Sequence, residues 1–127
     1  MSLNEIVTND RQNHPLDEYS FEYQGYRCKV KYGPMGNWNG YVQLPPTHRD
    51  YAKTYCDLES EIDIHGGLTY SHEGEFGFDT AHGGDYMPHL AKYGLSLGTH
   101  YWTYEEVVNE TKRLADQFAR RSDPNYN

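Results

Sequence analysis

Long apolar runs are missing from this chain. No stretch approaches the roughly 20 apolar residues that cross a bilayer as a helix, so a membrane role is not expected. The opening residues, Met1 to Leu16, lack the apolar centre of a signal peptide and read as a polar lead-in. Cysteine is scarce: Cys28 and Cys56 are the only two. That is too few for a disulfide framework and predicts free, buried thiols in a reducing cytoplasm. Catalytic signatures are missing as well. The chain holds no HExxH, no CxxC pair, no EF-hand loop and neither GxGxxG nor GxxxxGK[ST]. Gly74, Gly77, Gly83 and Gly84 keep neither phosphate-loop spacing, and Ser71, Ser96 and the two cysteines stand in no nucleophile elbow.

Charge of one sign is missing from each of two long stretches. From Tyr23 to Arg49 there is no acid, while Arg27, Lys29, Lys31 and Arg49 are basic. Between Lys53 and Lys92 there is no lysine or arginine, while Asp57, Glu59, Glu61, Asp63, Glu73, Glu75, Asp79 and Asp85 are acidic. A net charge of −8 excludes general nucleic-acid binding, which needs cations to neutralise phosphates.

What is present is aromatic. Thirteen tyrosines and two tryptophans supply the large, amphipathic surface that a chain of 127 residues needs for one core. The spacing predicts an α+β fold, a small antiparallel sheet with a C-terminal amphipathic helix packed on one face. Tyr26, Cys28, Val30 and Tyr32 alternate with Arg27, Lys29 and Lys31, as on a strand with one buried face. Gln24-Gly25 can turn a hairpin into it from Phe21–Tyr23. Tyr41 to Leu44 reads as a returning strand, Ile62 to Tyr70 as one interrupted at Gly66-Gly67, and Phe76 to Thr80 as another. Thr47 to Tyr55 reads as a short helix and Ala81 to Gly98 as an ordered loop. Thr103-Tyr-Glu-Glu106 has the form of a capping box. After it, Val107, Val108, Thr111, Leu114, Ala115 and Phe118 recur at helical spacing. One domain is expected over 19–122, after a lead-in at 1–18 and before a tail at 123–127.

Two constellations could carry function. His65 and the evenly spaced Asp79, His82 and Asp85 are candidate ligands for a divalent metal, flanked by glycines that permit close approach. The same residues also fit plain turns, in which Asp and His bond loop amides. Trp38, Tyr70, Phe78 and Trp102 could stack a ring beside the phosphate donors Arg27 and Lys29. Together these ten residues form the expected pocket for a small, nucleotide-like molecule. That pocket requires no cofactor.

The runs HGGLTYS, FGFDTAHGGD and WTYEEVVNETKRLADQ resemble a family of small, mostly uncharacterised proteins encoded by phages and prophages. The likeness spans Tyr26 to Phe118, and Thr80 stands where the family motif has a cysteine. It implies the cytoplasm of an infected or lysogenic bacterial host and a part in countering host defence. The leading expectation is therefore a phage-type binding protein sequestering a nucleotide-derived signal. The alternatives are a small metal-dependent hydrolase built on the His/Asp cluster, and an acidic inhibitor of a host defence protein. A homo-oligomer or a host protein partner is compatible with either binding reading.

Overall fold

The structure, a computed structural model, describes residues 1–126. Its frame is a five-stranded antiparallel sheet in the order β1-β2-β3-β5-β4, made of β1 (Glu18–Tyr23), β2 (Tyr26–Tyr32), β3 (Trp38–Gln43), β4 (Tyr70–His72) and β5 (Glu75–Phe78). Two tight hairpins build it. Gln24 and Gly25 both take positive φ between β1 and β2, as do Glu73 and Gly74 between β4 and β5, a backbone twist that matches paired strands. Among the described residues three helices complete the fold: α1 (Leu3–Asn13), the single-turn α2 (Pro88–Ala91) and α3 (Tyr104–Arg121). Among the described residues no helix is long and apolar enough to cross a membrane.

The C-terminal helix forms as its sequence predicts. Thr103 Oγ1 accepts the Glu106 amide, the Glu106 carboxylate takes the Thr103 N–H, and Arg120 and Arg121 occupy the last turn. Val107, Thr111, Leu114, Ala115 and Phe118 are buried against Tyr26, Cys28 and Val30 of β2, Trp38 and Val42 of β3, and Phe76 and Phe78 of β5. Close approach needs Gly40, where a β-carbon would overlap Thr111 Oγ1 and the Phe78 ring. Helices cover this one face of the sheet. On the other face stand Arg27, Lys29, Lys31, Asn39, Tyr41, Gln43 and Glu75.

Several expectations are corrected. The opening segment is not a lead-in: α1 begins in a capping box of Ser2 and Glu5 and packs Leu3, Ile6 and Val7 against the core. Its Asp10 is buried, and its carboxylate accepts from Trp38 Nε1 (2.9 Å), Tyr101 Oη (2.6 Å) and the Tyr104 amide (3.1 Å). Residues 47–55 form consecutive turns, because His48 and Asp50 turn inward to hydrogen-bond partners on α3. Residues 62–69 make no strand: the Asp63 and His65 amides bond to α3 side chains, those of Ile62 and Gly67 close turns, and only the Thr69 amide reaches β5, at Gly77 O. The 81–98 segment contains α2. Of the two free thiols only Cys28 is buried, and burial pushes it up to about 11; Cys56 is exposed.

Candidate functional site

The glycine-rich motifs meet at one end of the sheet, and α3 sets their position. Gln117 grips Asp63 by its amide and carbonyl (2.8 and 2.7 Å), and Glu110 Oε2 accepts the His65 N–H at 2.8 Å. Burial pushes the Glu110 carboxyl up, but the Arg113 guanidinium and the His65 amide prevail and hold it below the usual carboxylate range. Past His65 the chain turns through Gly66 and Gly67, both at positive φ.

His65 then reaches Asp85. Its Nε2 lies 3.1 and 3.0 Å from the two carboxylate oxygens, and Asp85 Oδ2 also accepts the His82 amide at 2.9 Å. Asp85 is buried, so the His65 ring is held by a carboxylate shielded from water. An imidazole held this way keeps one orientation and presents its other nitrogen, Nδ1. The His65 ring also lies on the Trp102 indole, with centroids 4.3 Å apart. His82 stands edge-on to His65 at 5.5 Å. Its Nε2 is 3.2 Å from Asp79 Oδ1 but off the angle of a hydrogen bond, so this buried atom has no hydrogen-bond partner. Gly66 packs directly against that nitrogen, where a β-carbon would collide with the ring. His100, held by Glu106 at 2.8 Å, meets Trp102 from the side.

The four candidate metal ligands therefore form two separate imidazole–carboxylate pairs, His65 with Asp85 and His82 with Asp79. Among the described residues no three His, Cys, Asp or Glu side chains gather as a metal ion would require.

The basic strand presents Arg27 and Lys29 on the uncovered face. Register sets Lys29, Tyr41, Gly77 and Tyr70 in one row across four strands. Lys29 Nζ pairs with Glu75 at 3.1 Å and lies 5.3 Å from the Tyr41 ring centre. Tyr41 meets Tyr70 edge to face at 5.6 Å and rests over Gly77, where a β-carbon would come within 2.6 Å of the ring. Burial, and after it the Glu75 charge, pushes the Tyr41 phenol up, with Asp79 adding a smaller push and Lys29 opposing. Arg27 makes no ion pair among the described residues and borders two grooves of about 400 and 300 Å3.

Not every expected site residue is available to a ligand. Trp38 is fully buried with its N–H given to Asp10, and Phe78 is buried against Gly40. Both are core residues. Tyr70 is 39% exposed and Trp102 half-buried, so their rings remain accessible. Residues that composition did not single out complete the site: Glu110 positions His65, and His100 with Glu106 frames Trp102. The Glu106 carboxylate serves the capping box and the imidazole together, so the cap signal masked its second role. A cavity of about 690 Å3 lies elsewhere, between α1 and the β2–β3 loop. Its Arg11 is already spent on Asp17 and three backbone carbonyls.

Comparison with protein-family models, with curated proteins and with solved structures gave no match.

Proposed function

We propose that this protein captures a small nucleotide-derived ligand without transforming it, acting as a phage-type binder that sequesters a signal of host defence. The ligand lies on the uncovered sheet face, its ring against Tyr41 and Tyr70, its phosphates toward Arg27 and Lys29, and its far end toward His65 and His82. One observation carries this reading: a sheet face bare of helices holds a row of rings beside an arginine that, among the described residues, makes no ion pair. Rings supply sequence-tolerant stacking area, and a guanidinium supplies forked donors to phosphate.

The test is a thermal-shift and calorimetry screen against mono-, di- and cyclic nucleotides and ADP-ribose. At least one should raise the melting temperature and be recovered intact. Arg27→Ala with Lys29→Ala should weaken its binding while leaving the protein folded. Absence of a shift with every compound would sink the reading. Recovery of a cleaved product would favour the alternative of a hydrolase, for which the His65–Asp85 pair offers an oriented imidazole as acid or base. The metal-assisted form of that alternative lacks a three-ligand cluster, as described above.

A further inference from the structure

The first strand ends the sheet, and among the described residues only β2 pairs with it. The Tyr32 amide donates to Asp17 O at 2.8 Å, which sets the alternation of the antiparallel ladder. Tyr19, Phe21 and Tyr23 exchange hydrogen bonds with β2. Glu18, Ser20 and Glu22 direct their N–H and C=O groups outward. No hydrogen bond from elsewhere in the described residues reaches those outward groups. The opposite edge, β4, is only three residues long, whereas β1 offers six. The side chains of β1 are sorted: Glu18, Ser20 and Glu22 are exposed on the uncovered side, and Tyr19, Phe21 and Tyr23 are half-buried on the core side.

An edge of this length is a template for another strand. A second copy of this chain fits it badly. Every antiparallel register that keeps the aromatic sides together brings Glu18 or Glu22 of one copy opposite, or diagonal to, the same carboxylates of the other, and like charges so placed repel. We infer that β1 docks an extended segment of a different protein, with lysines or arginines on the side of Glu18 and Glu22 and apolar residues on the side of Tyr19, Phe21 and Tyr23. The carboxylates thus discourage self-pairing and select a basic partner.

The probe is a capped synthetic peptide of about eight alternating lysines and valines, long enough to span the strand. Its control replaces lysine by glutamate. Calorimetry should find binding of the first and none of the second. Ser20→Pro removes one outward N–H and leaves the β1–β2 ladder intact, a place where edge strands accept proline. It should weaken the peptide by about tenfold or more, the value of one to two backbone hydrogen bonds. A peptide N-methylated at alternate amides should lose the same affinity against the unaltered protein, which covers the case of a misfolded variant. Ser20 lies across from Lys29, so the nucleotide screen and the N-methylated peptide are both run on the unaltered protein, and the two proposals fail separately. Equal binding of both peptides, affinity indifferent to N-methylation, or a peptide-independent dimer would overturn the inference.

Discussion

Asp10 shows how much can rest on one carboxylate. It joins α1 to the Trp38 indole of the sheet, the Tyr101 hydroxyl and the first amide of α3. Its negative charge also sits at the positive end of that helix. Burial, followed by Asp10 itself, pushes the Tyr101 phenol up, so it remains a proton donor. Asp10→Ala should cost about 3 kcal/mol by leaving buried donors without an acceptor, which urea unfolding followed by tryptophan fluorescence would measure. A cost under about 1 kcal/mol would mean that water replaces the carboxylate. Asp50 plays the same part at the other end of α3. Fully buried, it takes Arg121 Nε and Nη2 at 2.7 and 3.0 Å and Lys53 Nζ at 3.0 Å. Burial alone would raise its carboxyl, but Arg121 and Lys53 prevail and lower it. Because the folded value lies below that of an unfolded aspartate, this contribution is complete above about pH 4 and is lost as pH falls through the folded value. The melting temperature should therefore fall as pH drops below about 4, and Asp50→Asn, already destabilised at neutral pH, should fall less over that range.

At the scale of elements, α3 organises both the core and the site. Its apolar stripe covers β2 and β3, while Glu110 and Gln117 on its flank hold residues 63–65 in place. Leu114→Asp puts an unpaired charge at a fully buried position and should cost about 4 kcal/mol or more. An unchanged thermal midpoint would show that this face does not carry the core. Glu110→Gln keeps an acceptor for the His65 amide but removes a charge held by Arg113. It should cost about 1 kcal/mol and leave the NMR shifts of the His65 ring nearly unchanged. Glu110→Ala should move those shifts, since the backbone of His65 then loses its support.

At the scale of the molecule, helices on one side and an open sheet on the other leave a broad polar face where Arg27, Lys29, Tyr41 and Tyr70 meet solvent. Charge contacts there are screened, so ligand affinity should fall as salt rises from 50 to 500 mM, across the range where the Debye length shrinks to a few ångströms (about 3 Å at 1 M). Salt-independent binding would place the ligand in a buried apolar cavity instead. The α+β architecture, the β1–β2 hairpin and α3 were legible in the chain because each rests on local rules: alternation of period two, a two-residue turn and a capping box above a stripe of period 3.6. Ser2-Leu-Asn-Glu5 carries the same capping signature, but the polar residues after it hide an apolar contact made by only three side chains. Residues 62–69 have the composition of a strand, yet the amides of Asp63 and His65 go to Gln117 and Glu110, some 45 to 54 positions away. Local propensity cannot register partners so distant. The aromatic residues divide for the same reason. Trp38 and Phe78 are core and Tyr41 and Tyr70 are surface because β3, β4 and β5 alternate sides and α3 covers only one of them, and which side a helix covers is settled when the layers pack.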